Sequence, residues 1–165
     1  MAGTVKTAAI WLLRLGIGGI FAFAGVVKIW DFKAGDWATQ DFALAVQNFQ
    51  LTTWTISILI AVYLPWLELA AGVALILRKL ENGALALLGL MTLGFLGAIG
   101  SAWARGLDIT CGCFGKENNA TNFPLHIAGD AALLAAIVLL AVLLRRGESP
   151  RTSPRHMVNS GGDAL

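Results

Sequence analysis

The chain has few charged residues. Asp, Glu, Lys and Arg make up 13% of its 165 residues, whereas a typical soluble domain has about 25%. Hydrophobic residues make up 57%, a share that excludes intrinsic disorder and argues against a soluble fold. The formal net charge is only +2 and the basic residues form no basic face, so we expect no nucleic-acid partner. The composition predicts an integral membrane protein.

Four apolar segments are long enough, at about 1.5 Å per residue, to cross a hydrocarbon core of about 30 Å thickness. They cover residues 8–30, 54–77, 83–104 and 123–144. The sequence therefore predicts an all-α, integral membrane four-helix bundle over residues 1–146. Residues 147–165 lack apolar periodicity and are predicted to form a disordered cytoplasmic tail.

Basic residues collect on one side of the predicted spans. These residues are Lys6, Arg78, Lys79, Arg145, Arg146, Arg151 and Arg155. Because Lys and Arg are enriched in cytoplasmic loops, we expect this side and both termini to be cytoplasmic. Trp30, Trp54 and Trp103 lie at the opposite ends of the spans, where indole rings favour the lipid headgroup level. The expected location is the inner membrane of a bacterium, with the opposite side periplasmic.

The loop after the first span contains a second helical pattern. Over residues 36–49, Ala38, Phe42, Ala45, Val46 and Phe49 fall on one face of a helix. This pattern predicts a short interfacial helix on the outer leaflet, with capping of the bundle as its main role.

The chain has only two cysteines, and both lie in the predicted outer loop between the third and fourth spans. A disulfide between Cys111 and Cys113 would close a tight, strained ring that Gly112 makes possible and that is easily reduced. Exchange of this disulfide is the favoured hypothesis. A static bridge that shapes the loop and a pair of thiolates that holds a soft metal such as Cu(I) are the alternatives.

Two residues could favour the thiolate form of a cysteine in this loop. Lys28 lies near the outer end of the first span, and His126 lies just inside the fourth. Asp130 follows His126 by one turn on the same helix face, where its carboxylate could orient the imidazole ring. The alternatives are an interfacial histidine bonded to a carbonyl and a lysine that extends to the membrane surface.

Charged residues also occur within the spans. A stripe along the first span should face the bundle and consists of Arg14, Gly18, Phe21, Gly25 and Lys28. On the second span, Pro65, Glu68 and Gly72 share a face, and Pro65 predicts a kink. Counted from Trp30 and Trp54, Arg14 and Glu68 differ in depth by about 3 Å, so we expect them to pair. A structural ion pair is favoured over a proton relay or a quinone contact.

These residues resemble the MauE/DoxX group of small four-helix membrane proteins, and specifically the methylamine-utilisation MauE branch. The resemblance covers about the first 145 residues. It rests on the first-span stripe, on the sequence Leu64-Pro65-Trp66-Leu67-Glu68, and above all on Cys111-Gly112-Cys113-Phe114-Gly115. It implies redox-associated disulfide chemistry in maturing a disulfide-rich periplasmic dehydrogenase, beside a thioredoxin-like partner. DoxX-type relatives are linked to quinone-coupled sulfur oxidation.

Three functions compete at this point. The first is a thiol-disulfide oxidoreductase module that passes electrons between Cys111, Cys113 and a thioredoxin-like protein. Because one cysteine pair cannot carry electrons onward alone, this hypothesis admits a membrane quinone as a cofactor. The second is a non-catalytic accessory subunit of a larger membrane complex. The third is a small-molecule or metal carrier with a polar cavity lined by Arg14, Glu68 and Asp130. No metal ligand set is predicted.

Overall fold

The computed structural model describes residues 2–32, 35–107 and 123–147. Within these ranges the chain forms five helices and one short hairpin: α1 (Ala2–Ile29), β1 (Trp30–Asp31), β2 (Asp36–Trp37), α2 (Thr39–Asn48), α3 (Trp54–Ile76), α4 (Glu81–Ala104) and α5 (Phe123–Gly147). The helices α1, α3, α4 and α5 each contain a segment long and apolar enough to cross a membrane. These segments begin and end within two residues of the predicted spans, so the four-helix membrane fold is confirmed. The predicted Cys-x-Cys loop and nearly all of the predicted tail lie outside the described residues.

Apolar side chains from the four long helices meet in the core of the bundle. The central cluster includes Ile17, Phe21, Leu75, Leu88, Ile137 and Leu140. The outer surface is apolar as well, since Leu12 of α1 and Leu90 of α4 are 72% and 68% exposed. A surface with this many exposed apolar side chains is suited to lipid rather than to water.

The two ends of the bundle differ in what covers them. At the end that we call the capped end, α1 and α4 end, α3 and α5 begin, and α2 and the hairpin lie over them. Phe49 packs there with Ile99 of α4 and Phe123 of α5. The opposite end, which we call the basic end, carries Lys6, the turn from α3 to α4, and Arg145.

Glycines allow α1 and α3 to pack with their backbones in contact. A Cβ on Gly25 would lie 2.6 Å from the carbonyl oxygen of Pro65, and one on Gly18 would lie 2.8 Å from that of Gly72. The first-span stripe therefore faces the bundle, as predicted. These two contacts also fix the antiparallel register, with Gly25 beside Pro65 and Gly18 beside Gly72. The helix α3 is continuous through Pro65, and a bend at that position stays a prediction.

This register leaves a step at the capped end. Because Gly25 lies beside Pro65, the last residue of α1 lies beside residue 61, and α3 continues for about two further turns. Residues of α2 fill the step by packing Phe42, Ala43 and Ala45 against Ala61. The predicted short helix is therefore present and caps the bundle.

The short helix begins later than predicted. It starts at Thr39 rather than at residue 36, because Asp36 and Trp37 pair instead with Trp30 and Asp31 in the two-stranded hairpin. The rings of Trp30 and Trp37 meet edge to face, with their centroids 5.8 Å apart. Each strand of the hairpin has only two residues, too few to show the alternation of apolar and polar residues that indicates a strand, so the sequence did not predict it.

Candidate functional site

A buried ion pair joins α1 to α3 below the capped end. Lys28 Nζ donates to both carboxylate oxygens of Glu68, at 2.8 Å and 2.7 Å. The two side chains are 2% and 1% exposed. In the antiparallel register Glu68 lies beside residue 22 of α1, about 9 Å deeper than Lys28. Side chains tilt toward the N-terminus of their own helix, so the lysine leans inward, the glutamate leans outward, and they meet.

Two aromatic rings enclose the ammonium group of Lys28. Its Nζ lies 5.4 Å from the centre of the Phe42 ring on α2 and 5.3 Å from that of the Phe95 ring on α4. Both distances are within the range of a cation–π interaction. The cation carried by α1 is thus surrounded by side chains of α2, α3 and α4. The contact with Phe42 therefore connects α2 to the ion pair as well as to the bundle surface.

Two further titratable residues approach this pair from α5. Asp130 interacts electrostatically with Lys28 and with His126, and both residues of α5 are partly buried. We call Lys28, Glu68, Asp130 and His126 the charge cluster. Lys28, Glu68 and Asp130 together carry a formal charge of −1. Charged side chains inside membrane spans are costly and often mark functional sites, so the charge cluster is the candidate site within the described residues.

The predicted pairing of Arg14 with Glu68 is wrong. Arg14 Nη2 donates instead to Glu81 Oε2 at 2.7 Å, at the start of α4. The expected pairing requires Trp30 and Trp54 to lie at the same level at the capped end, but α1 ends about two turns below the start of α3. Arg14 therefore lies beside Ile76, about 12 Å deeper than Glu68, and its side chain tilts toward the basic end.

Sequence analysis also missed the polar contacts that hold α2 in place. Ser57 of α3 donates to the side-chain oxygen of Gln47 at 2.8 Å and lies 2.9 Å from the hydroxyl of Thr52. Arg105, just after α4, donates to the carbonyl oxygen of Phe49. Each contact depends on how α2 folds back over the bundle, so neither the spacing nor the hydropathy of the sequence could have indicated it.

Among the predicted chemical residues, Asp130 interacts electrostatically with both Lys28 and His126. Cys111 and Cys113 lie outside the described residues. The chain leaves the described part at Leu107 and re-enters it at Phe123, which pack in one cluster at the capped end. Within the described ranges, no group of three or more His, Cys, Asp or Glu residues could hold a metal ion.

Comparison with known proteins adds one finding. A family model described as methylamine utilisation protein MauE matches residues 6–144, which is more than half of the chain. Neither a curated protein nor a solved structure gives a significant match.

Proposed function

Because the chain belongs to the MauE family of methylamine utilisation proteins, we propose that it is a membrane redox module. It is a multi-pass membrane protein involved in methylamine utilisation. In the proposal, Cys111 and Cys113 exchange disulfides with a thioredoxin-like partner during maturation of a periplasmic protein. The Cys111-Gly112-Cys113 sequence is the observation that carries the proposal, since a subunit that only packs needs no closely spaced thiols.

The exchange proceeds through a mixed disulfide. A thiolate of the pair attacks one sulfur of the partner's disulfide, the partner's S–S bond breaks, and its second sulfur leaves as a thiolate. The other cysteine then attacks the mixed disulfide, which closes the Cys111–Cys113 bond and releases the partner as a dithiol after it takes up two protons. Two electrons have then passed to the partner, and the reverse sequence passes them back.

The charge cluster supports the proton side of this chemistry. A thiol must lose its proton before it attacks, and the imidazole of His126 is the group that accepts it in our proposal. Asp130, one turn further along α5, stabilises the imidazolium that results. Lys28 is bonded to Glu68, so its role is to position these groups rather than to pair with a thiolate.

A second electron carrier is needed because the chain has only one cysteine pair. A membrane quinone would satisfy this need in the direction in which the partner loses electrons, since it would take two electrons and two protons from the Cys111 and Cys113 dithiol and leave their disulfide. In the opposite direction, the corresponding quinol would supply two electrons and two protons to that disulfide. We propose a quinone as the partner in that half of the cycle.

The charge distribution supports one orientation in the membrane. The basic end carries Lys6, Arg78, Lys79 and Arg145, so we propose that it is cytoplasmic and that the capped end faces the periplasm. In a variant without native cysteines, Lys79→Cys and Leu51→Cys place one exposed thiol at each end. A membrane-impermeant maleimide added to intact cells should label only the Leu51→Cys variant. Labelling of Lys79→Cys alone would reverse the orientation.

Trapping of the mixed disulfide tests the exchange. With Cys111→Ser or Cys113→Ser, one of the two variants should accumulate a covalent complex with the thioredoxin-like partner, visible on a non-reducing gel and lost on reduction. The double variant is the matched control and should trap nothing. If the double variant maintains the same thiol state of the partner as the wild type, the exchange function is wrong.

A non-catalytic accessory subunit is the second candidate. The span in α5 is the least buried of the four, and α5 exposes Leu125, Val138, Leu139 and Val142. A face of this kind suits a helix of another membrane protein as well as it suits lipid. Replacing the exposed apolar residues of this face by larger ones tests this candidate. If those substitutions abolished function while the double cysteine variant remained fully functional, this candidate would replace the first.

A further inference from the structure

The basic end contains a cleft that the proposed function does not use. The cleft has a volume of about 570 Å³ and lies between α1, α5 and the turn from α3 to α4. The cleft is lined by apolar side chains of α1 and α5 and, at its rim, by Arg78 and the residues that begin α4. The lining residues are Ile10, Arg78, Leu80, Glu81, Asn82, Gly83, Leu143 and Leu144. The candidate membrane spans end at Lys6, Ile76, Glu81 and Arg145, so the cleft lies at the level where hydrocarbon meets headgroups.

The rim of the cleft has a surplus of positive charge. Glu81 accepts from Arg14 at 2.7 Å and lies 3.5 Å from Arg78, so two guanidinium groups share one carboxylate. Both guanidinium groups also lie within 6 Å of the Trp11 ring. Lys79 and Arg145 flank the same region, and neither enters an ion pair with another described residue. An anion on the rim would therefore meet net positive charge.

The first turn of α4 adds hydrogen-bond donors to this charge. Leu80 occupies the N-cap position and its side chain cannot accept a hydrogen bond. The first helical bond is donated by Ala84, so the amides of Glu81, Asn82 and Gly83 have no acceptor within the helix. Amides at a helix N-terminus favour an anion, most of all beside a cationic side chain.

Arg78 occupies a position where glycine is usually found. Its φ of 61° is left-handed, and it follows the last turn of α3 with Lys79 N donating to Ala74 O. An arginine at this position strains the backbone but places a guanidinium, 61% exposed, at the mouth of the cleft. The charge and the apolar walls together match an amphipathic ligand rather than a free anion.

We propose that this cleft binds an anionic phospholipid, with its headgroup phosphate on the rim formed by Arg78 and the start of α4 and an acyl chain along Ile10, Leu143 and Leu144. Basic pockets between transmembrane helices recognise lipid headgroups in this way. The proposal does not depend on disulfide exchange.

Lipid-dependent thermal stability of the purified full-length chain tests the proposal. In dodecyl maltoside, dioleoyl phosphatidylglycerol should raise the unfolding midpoint and remain bound in native mass spectra, whereas dioleoyl phosphatidylcholine at the same mole fraction should do neither. Arg78→Gly should weaken phosphatidylglycerol binding about fivefold, which is the loss of affinity expected when one cationic side chain that contacts the headgroup is removed. Glycine relieves the left-handed backbone but loses the ion pair with Glu81, so the lipid-free unfolding midpoint of this variant is measured first and binding is compared below that temperature.

Lys79→Gln is the matched control, since it removes the neighbouring positive charge from a residue that does not line the cleft. It should weaken binding by roughly twofold or less, because exposed charges are screened by salt. Equal effects of the two lipids, or equal losses in Arg78→Gly and Lys79→Gln, would overturn the proposal. Inorganic phosphate alone should not reproduce the stabilisation, and if it did, the cleft would be an anion site rather than a lipid site.

Discussion

Lys28 and Arg14 lie on the same face of α1, about four turns apart, and each bonds a glutamate of another helix. Lys28 and Glu68 form two hydrogen bonds and are almost fully buried. Arg14 forms one bond to Glu81, whose side chain is 23% exposed and also lies near Arg78. Arg14 Nε has no acceptor among the described residues.

The two pairs differ in which groups could still interact with the glutamate after its basic partner is removed. Glu81 lies at a helix start near the basic end, where Arg78 and water are within reach. Glu68 has no described cation near it except Lys28, and aromatic rings enclose that cation. The Arg14–Glu81 pair, which we call the inner pair, is thus consistent with a structural role at the membrane boundary. The Lys28–Glu68 pair, which we call the outer pair, keeps buried charge that interacts with Asp130. Buried charge of this kind is costly and is typical of functional sites in membrane spans.

Breaking the outer pair should have the largest effect. Lys28→Met leaves the Glu68 carboxylate buried without a counter-ion and should lower the free energy of unfolding by about 3–5 kcal/mol. The double variant Lys28→Met/Glu68→Leu should recover most of this loss, because neither charge of the pair remains. Unfolding by SDS titration in mixed micelles measures both. Additive losses in the double variant would show that the two side chains do not interact.

Filling the glycine contacts should have the next largest effect, because they set the register that determines both pairs. A Cβ at Gly25 would lie 2.6 Å from a backbone oxygen, so Gly25→Ala should destabilise the bundle by about 1–3 kcal/mol. Gly16 of the same helix has nothing within 4 Å of its Cβ position. Gly16→Ala is therefore the control, and it should be neutral or stabilising by up to about 1 kcal/mol. Equal losses in both variants would argue against close helix contact.

Sequence analysis predicted the spans, the short helix and the face of α1, because all three depend on local periodicity. It did not predict the partners of Arg14 and Glu68. Those depend on how far one helix slides along another, which the contact of Gly25 with Pro65 fixes and hydropathy does not record. The electrostatic interaction between Lys28 and Asp130 likewise depends on packing between helices distant in sequence.

Breaking the inner pair should cost less than breaking the outer one. Arg14→Met should lower the free energy of unfolding by about 1.5–2 kcal/mol, the lower part of the range for losing a hydrogen bond to a charged group. Glu81 would keep Arg78 and partial contact with water, so little buried charge is left uncompensated. The same SDS titration compares Arg14→Met with Lys28→Met. A larger loss for Arg14→Met would reverse the contrast between the two ends.

Removing the carboxylate of Asp130 should have the smallest effect on the free energy of unfolding. The sign of that effect should depend on whether Lys28 is present. Asp130→Asn in the wild type removes attraction to Lys28 and His126 but also the cost of partly burying a carboxylate, so we expect a change within about 1 kcal/mol. In the Lys28→Met background only the attraction to His126 opposes the cost of burial, so Asp130→Asn should become less destabilising or stabilising. A double-mutant cycle by SDS titration measures this coupling. The same cycle with Arg14→Met is the control and should show none, because Arg14 lies near the other end of α1 and pairs with Glu81. Equal coupling in the two cycles would mean that Asp130 acts on the stability of the whole bundle rather than on the charge cluster.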